Sequence, residues 1–207
     1  IEEIQCKLDN LSDNQLSLAK IIDVIYQFYS KEKYPKAKLW GGQSPKFVYT
    51  LSCINNLFPN AKYIHLVRDG RDSISSLKTF FGFEIIREAV LGLKKSIRKI
   101  ERFRKKIDPD RFLEVRYEDL VRNPDDTLMR ICNYLGIKYS KNMKDFWRLP
   151  LNKEDEYYFP YKYFSNPLSS SSIGTWEDNL SEVQIYYVIG KIYPELIRFG
   201  YIPNRKG

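Results

Sequence analysis

The sequence has little of several residue types on which common enzyme classes depend. In 207 residues there are one histidine and three cysteines. The histidine, His65, lies within an apolar run, which indicates a packed or supporting side chain and argues against a Ser-His-Asp hydrolase. The cysteines, Cys6, Cys53 and Cys132, are far apart within apolar patterns. We therefore expect reduced, packed thiols and neither a disulfide framework nor a metal site.

Some longer sequence features are absent as well. No apolar stretch is long enough to span a membrane and no secretory signal is present, which favours a cytoplasmic protein. The chain does not begin with Met, so we expect sequence upstream of Ile1. An anchor in that upstream sequence would place the protein in the Golgi lumen instead. No phosphate loop of the Gly-x-x-x-x-Gly-Lys-Ser/Thr type is present, which counts against a nucleotide kinase.

The composition predicts one domain over residues 1–207, because 43% apolar residues can form a sizeable core. The net charge of +8 is unevenly distributed, since nine Lys or Arg and two Glu lie between Arg87 and Lys106. This run predicts a long helix over 84–106 with an apolar stripe and a basic face. The basic face is either solvated or docks an acidic acceptor or a polyanion. No recognised nucleic-acid module accompanies it, so we expect no specific nucleic-acid partner.

The rest of the chain is organised around one stretch, residues 61–81 (AKYIHLVRDGRDSISSLKTFF). Residues 61–67 predict a strand covered on both faces of a parallel sheet. The glycine-containing turn RDGRD follows, and a serine-rich helix then begins. The strand end, the guanidinium groups and the helix N-terminus together predict an anion site. The same residues also allow a simple turn in which Arg68 pairs with Asp72 and the serines cap the helix.

The remaining segments extend an α/β pattern with helices flanking a parallel sheet. Residues 111–116 predict a second strand, and the helix after it ends at Gly136. Ser44 and Pro45 predict the start of an earlier helix. Ser181 and Gln184 predict a capping box for the last helix.

Two further signals lie in the second half of the chain. Pro194 predicts a kink in the last helix. Residues 137–172 predict an irregular segment, and its aromatic cluster at 157–164 is either an acceptor wall or a satellite core.

Four motifs in this order, over about residues 39–203, resemble the sulfotransferases that use 3′-phosphoadenosine 5′-phosphosulfate (PAPS), in their bacterial and tyrosylprotein branch. They are the Trp40-Gly41-Gly42-Gln43-Ser44-Pro45 segment, the string FPNAKYIHLVRDGRDSISS, the run VRYEDLVRNPDDTLMRICNYLGI and the segment IGTWEDNLS. The string FPNAKYIHLVRDGR carries the most specific part of the resemblance.

The resemblance implies a P-loop-NTPase-like sulfotransferase fold and PAPS as the donor. It implies transfer of a sulfuryl group to a hydroxyl or amine acceptor without a metal. Arg68 and Ser76 would hold the 3′-phosphate, Tyr117 would lie near the adenosine, and Gly174 would belong to the donor site. The acceptor stays open between sugar, peptide tyrosine, lipid and small molecule, an acidic one included. The oligomeric state is not specified.

The sequence departs from the family pattern at three places. Gln43 stands where the family has a lysine that stabilises the transferring group, and a neutral amide supplies no charge. Thr175 stands where a basic residue is usual. The family's Pro-Arg-Ser-Gly loop is missing, so we expect it and the first strand to precede Ile1, and the general base is unassigned. The alternative is an inactive, truncated relative that binds polyanions through the basic helix 87–106.

Overall fold

The computed structural model describes residues 17–82, 85–148 and 166–203. The chain divides into two compact units, Ile1–Ala61 and Lys62–Gly207, which are described separately below.

In its described residues, 17–61, the first unit contains two α-helices joined by a loop and a short 3₁₀ helix. Helix α1 spans Leu18–Lys33, the 3₁₀ helix spans Pro45–Tyr49, and helix α2 spans Leu51–Leu57. The Ser44 side chain accepts a hydrogen bond from the backbone N–H of Lys46, and Pro45 occupies the first helical position. This confirms the predicted helix start, because a serine cap satisfies one free N–H and proline has none to lose.

The second unit contains two parallel strands and six α-helices within its described residues. The elements are β1 (Tyr63–Val67), α3 (Gly70–Phe81), α4 (Ile86–Arg104), β2 (Phe112–Arg116), α5 (Tyr117–Arg122), α6 (Pro124–Leu135), α7 (Trp176–Asn179) and α8 (Glu182–Arg198). Three short 3₁₀ helices span Pro109–Arg111, Lys141–Arg148 and Ser170–Ser172. In the sheet, Tyr63 lies opposite Phe112 and Val67 lies opposite Arg116. The predicted parallel pairing of the two strands is thereby confirmed.

The main hydrophobic core of this unit lies between α3, α4 and α8. Its buried side chains are Ile74, Ile86, Ala89, Val90, Leu180, Val188, Ile192 and Leu196. Helix α4 faces this core with the apolar stripe predicted for residues 84–106, although the helix itself ends at Arg104. The core fixes α3 against α8 and so fixes the direction in which α3 leaves the sheet.

The prediction that β1 is covered on both faces is wrong for the described residues. Val67 is 5% exposed, whereas Ile64 and Leu66 are 42% and 51% exposed. Tyr63 contacts Phe103 of α4 and His65 contacts Phe199, so helical residues cover the face of the odd-numbered positions. In the described part of the chain β1 pairs with β2 along one edge only. An apolar run cannot distinguish a strand covered on both faces from one covered on a single face.

Local signals in the helices are confirmed. Gly136 ends α6 with φ +75°, a conformation that glycine adopts without strain. Ser181 and Gln184 form a complete capping box at the start of α8. Ile192, two residues before Pro194, leaves helical geometry with φ −113°, so α8 is kinked as expected.

The cysteine prediction is correct for one residue and wrong for another. Cys132 is buried as a free thiol, whereas Cys53 is a free thiol that is exposed. Cys53 lies in the seven-residue helix α2, which buries none of its side chains. Cys6 and the aromatic cluster at 157–164 lie outside the described residues. Among the helices that are described, none is long and apolar enough to cross a membrane.

Candidate functional site

The candidate site begins where β1 ends and the chain turns into α3. Asp69 caps α3, because its side chain accepts a hydrogen bond from the backbone N–H of Arg71 at 2.8 Å. The Arg71 guanidinium returns to the same carboxylate, with Nη2 2.6 Å from Oδ2. Its planar group also stacks on the Trp176 ring, 4.2 Å from the centroid. The turn therefore contains an ion pair between Asp69 and Arg71, and not the pair between Arg68 and Asp72 that the sequence allowed.

Arg68 points towards the segment that precedes α7. Its Nη2 donates a hydrogen bond to the backbone carbonyl of Ser172 at 2.6 Å. Its guanidinium lies over the Tyr117 ring at 5.2 Å from the centroid. The Nε atom is buried and has no hydrogen-bond partner among the described residues. A buried guanidinium N–H without an acceptor favours an anionic or strongly accepting ligand beside it.

Tyr117, at the start of α5, reaches the same segment. Its hydroxyl lies 2.7 Å from Oγ of Ser172 and forms a hydrogen bond with it. Arg68, Tyr117 and Ser172 therefore form one cluster, although they come from three parts of the chain. The sequence predicted the first two residues, and nothing in it pointed to Ser172.

Gly174 is held by a buried carboxylate from α3. Its backbone N–H donates to Oδ2 of Asp72 at 2.9 Å, and its φ of +79° favours glycine. Asp72 is 1% exposed. Its other oxygen accepts from the Thr175 hydroxyl at 3.2 Å and from the Trp176 N–H at 3.1 Å. The Gly174 segment thus lies beside the Arg68 cluster, with the Gly174 N–H engaged by protein.

A second buried carboxylate, Glu118, forms hydrogen bonds that hold the β1–α3 turn. It is 4% exposed and accepts the backbone N–H of Asp69 at 3.0 Å and the Tyr201 hydroxyl at 2.8 Å. Burial, followed by this hydrogen bond to Glu118, raises the pKa of Tyr201 far above its ordinary value. Glu118 therefore links the start of α5 to the β1–α3 turn through buried hydrogen bonds.

A cavity of about 140 Å³ lies between the end of β1, the start of α3, α4 and α8. Its lining includes His65, Arg68, Ser73 and Glu195. Buried atoms of two of these residues lack a hydrogen-bond partner in the described chain: Nε of Arg68 and Oε2 of Glu195. The cavity is therefore polar on one side and has room for a small polar group.

His65 has a supporting role in this region. Its Nδ1 lies 3.5 Å from Oε2 of Glu114 on the neighbouring strand, and its ring packs beside Phe112 and Phe199. The interaction with His65, helped by Arg198 and Arg104, holds the pKa of Glu114 below its ordinary value. This is the packed or supporting histidine that the apolar strand predicted.

The two other predicted site residues, Ser76 and Gln43, belong to different units. Ser76 is partly buried in α3, three residues after Ser73, so the two serines share a helix face. Gln43 is exposed and belongs to the first unit. It follows Trp40, which stacks on Tyr26 at 4.3 Å and donates from Nε1 to Asp23 at 3.0 Å.

The basic residues of the predicted helix 87–106 are largely exposed. Five of them form no ion pair with any described residue: Arg87, Arg98, Arg102, Lys105 and Lys106. Others on this helix are engaged, since Lys94 pairs with Glu195 and Arg104 with Glu101. The face is charged over most of α4, and the excess of charge lies towards its C-terminal end.

The two parallel strands and the helices around them define an α/β protein. The family model described as "Sulfotransferase family" matches residues 4–141, so the chain belongs to the sulfotransferase family. The sequence-based assignment to this family is confirmed.

Among curated proteins, the chain is 26% identical over 143 residues to the omega-hydroxy-beta-dihydromenaquinone-9 sulfotransferase of Mycobacterium bovis. This alignment covers 63% of the chain and 36% of that protein. The chain is 28% identical over 151 residues to a putative protein-tyrosine sulfotransferase of Caenorhabditis briggsae, covering 68% of the chain and 52% of that protein. It thus spans between about a third and a half of these relatives.

Among solved structures, the sulfotransferase domain of the Synechococcus PCC 7002 olefin synthase superposes with a TM-score of 0.63 at 21% identity. The superposition covers 93% of the chain and 74% of that domain. The chain therefore has a sulfotransferase fold, as the sequence predicted.

Proposed function

We propose that this protein transfers a sulfuryl group from PAPS to a hydroxyl or amine acceptor, with a hydroxyl as the first choice. One observation carries the proposal: Arg68, at the end of β1, has a buried Nε–H without a described partner beside the N-terminus of α3. A guanidinium and a helix N-terminus both favour a phosphate group. The names of the two relatives, one acting on a menaquinone hydroxyl and one on protein tyrosine, support a hydroxyl acceptor.

In this proposal each predicted residue has a defined task. Arg68 and Ser76 bind the 3′-phosphate of the donor, Tyr117 packs beside the adenosine, and Gly174 shapes the segment that borders the site. The donor supplies the sulfuryl group. Its bond to the 5′-phosphate oxygen breaks as a bond to the acceptor oxygen forms, and the acceptor proton passes to a base that is not assigned. Gln43 contributes hydrogen bonds without a charge.

The proposal also concerns the extent of the domain. We propose that residues 1–207 belong to one sulfotransferase-like domain, because the family match at 4–141 crosses the boundary between the two units. We also propose that a further strand pairs with the edge of β1 that the described residues leave open, since its backbone N–H and C=O groups have no strand partner there. A cytoplasmic location is consistent with the free thiols of Cys53 and Cys132.

The direct test compares two nucleotides by calorimetry. 3′-Phosphoadenosine 5′-phosphate should bind about 100-fold more tightly than AMP, because charge-assisted hydrogen bonds to the 3′-phosphate are present only in the first. Arg68→Ala should remove most of this preference. Arg122→Ala, which deletes an exposed arginine in the last turn of α5, should leave it unchanged. Equal binding of the two nucleotides by the unaltered protein would contradict the proposal.

Polyanion binding through α4 is the second candidate, favoured by the five exposed cations without ion pairs described above. It predicts binding to heparin that weakens steeply with salt and is lost in the combined variant Arg98→Ala, Arg102→Ala. Arg68→Ala should not change it. Loss of heparin binding in Arg68→Ala would assign the anion site to the β1–α3 turn alone.

A further inference from the structure

Three hydrogen bonds join the 172–176 segment to one side chain of α3, and the Arg71 guanidinium adds a contact with the Trp176 ring. Asp72 accepts the backbone N–H groups of Gly174 and Trp176 and the hydroxyl of Thr175. The carboxylate is 1% exposed and forms no ion pair with a described residue. Its charge is therefore balanced by these three donors, and each of them belongs to the same short segment.

The beginning of this segment contacts the two residues proposed to hold the donor. Ser172, two residues before Gly174, accepts from Arg68 with its carbonyl and bonds Tyr117 with its hydroxyl. Because Asp72 fixes the backbone at Gly174, it also restricts where the Ser172 carbonyl can lie. The orientation of the Arg68 guanidinium depends on that carbonyl, since the hydrogen bond to it is short and partly buried.

We propose that Asp72 is a positioning residue of the donor site, which fixes the 172–176 segment and, through Ser172, orients Arg68 and Tyr117 towards the nucleotide. This inference deepens the proposed function and rests on it. Asp72 touches neither the nucleotide nor the reacting atoms in this scheme. Its effect on binding passes through Arg68.

The decisive substitution is Asp72→Asn, which preserves size and removes the charge. An amide accepts hydrogen bonds through its oxygen only. In place of the other carboxylate oxygen it would put an NH₂ group against an N–H or O–H donor of the segment. Asp72→Glu keeps the charge and serves as the conservative variant. Val90→Ala lies in the main hydrophobic core and outside the 172–176 segment, and it is the control for a general loss of stability.

The binding test is a double-mutant cycle with Arg68→Lys, measured by calorimetry with 3′-phosphoadenosine 5′-phosphate in the full chain. Lysine keeps a positive charge, so binding stays measurable, but it lacks the planar group that lies over Tyr117 and bonds Ser172.

Asp72→Asn alone should weaken binding about tenfold or more, as expected for disturbing a hydrogen bond to a charged group. In the Arg68→Lys protein, Asp72→Asn should weaken binding by less than about threefold. Asp72→Glu should recover part of the loss, and Val90→Ala should stay within about twofold in both backgrounds. An equal loss from Asp72→Asn in both backgrounds, or no loss in either, would overturn the proposal.

A second measurement uses the protein without ligand, so that it does not depend on the proposed function. The Nε–H resonance of Arg68 reports its surroundings directly, and amide exchange at Gly174 and Trp176 reports the attachment of the segment. Asp72→Asn should speed exchange at both amides about tenfold or more and shift the Arg68 resonance. Faster exchange with an unchanged Arg68 resonance would show that Asp72 only stabilises the fold. If the unaltered protein does not prefer the 3′-phosphorylated nucleotide, the proposed function fails, and this measurement still decides whether Asp72 orients Arg68.

Discussion

The β1–α3 turn and the loop that carries Gln43 belong to different units, and they are built differently. In the turn, the Asp69 carboxylate pairs with the partly buried Arg71 of α3, and the Asp69 backbone N–H donates to the buried Glu118 of α5. The loop before Ser44 is attached mainly through the ring of Trp40, which is 36% exposed. Buried hydrogen-bonded charges tolerate few geometries, whereas stacked rings tolerate sliding. The comparison indicates that the turn is preformed and that the loop position depends on packing.

The largest expected effect comes from removing the internal tie of the turn. Glu118→Ala leaves the Asp69 N–H and the Tyr201 hydroxyl buried without their acceptor, so the free energy of unfolding should fall by about 3 kcal/mol. Urea denaturation measures it. Glu177→Ala, at an exposed position of α7, is the control and should stay within about 0.5 kcal/mol. A loss below about 1 kcal/mol for Glu118→Ala would mean that the turn is no more constrained than the loop.

A smaller effect is expected where α3 begins. A Cβ added at Gly70 would lie 2.7 Å from Cδ1 of Ile192 and 2.9 Å from Cδ2 of Leu93. Gly70→Ala should therefore destabilise by about 2 kcal/mol through overpacking. Gly92→Ala in α4, where a Cβ meets no atom within 4 Å, should instead stabilise by up to about 1 kcal/mol. In thermal unfolding, Gly70→Ala should lower the melting temperature and Gly92→Ala should raise it. A melting temperature that rises in both variants would contradict the close packing at Gly70.

Removal of Trp40 should have a smaller and more local effect on the loop that carries Gln43. Trp40→Ala removes the contacts with Tyr26 and Phe58 and should cost about 1–2 kcal/mol, because the ring is partly exposed. Amide exchange across residues 41–47 is the measurement, and it should accelerate there. Trp40→Phe should retain part of the protection. Unchanged exchange in Trp40→Ala would show that Trp40 does not hold this loop.

The smallest expected effect is a pH dependence of stability that comes from Glu114 on β2. The folded-state pKa of Glu114 is depressed from 4.5, so its contribution to stability is present above that value and is lost as pH falls through the lower pKa. Glu114→Gln should be less stable than the parent near pH 7. The difference should narrow and disappear in acid, as measured by urea denaturation at a series of pH values. A difference that persists in acid would assign the effect to packing.

The features that the sequence predicted are those with local signals. The turn at Arg68, the cap at Ser44, the capping box at Ser181 and the kink near Pro194 each depend on residues within a few positions. The family motifs also predicted Arg68 and Tyr117 as donor-site residues, and the structure places the Arg68 guanidinium over the Tyr117 ring.

What the sequence did not reveal depends on distant partners. Asp72 resembles any acidic residue in the first turn of a helix, and its partners lie 102 to 104 residues away. Glu118 likewise takes its role from Asp69, 49 residues earlier. The exposed side of β1 was missed because alternation cannot be read from a run in which nearly every residue is apolar.

The bond between Arg68 and Ser172 also has a consequence for how the protein folds. It closes a loop of 104 residues, for which chain entropy alone costs about 4 kcal/mol. Contacts of such range form late, and the equally distant packing of α8 on α3 forms late for the same reason. A nascent chain that has produced β1 and α3 but not yet α7 therefore has its arginine in place without the carbonyl that orients it. Nucleotide binding should appear only in the last kinetic phase of refolding.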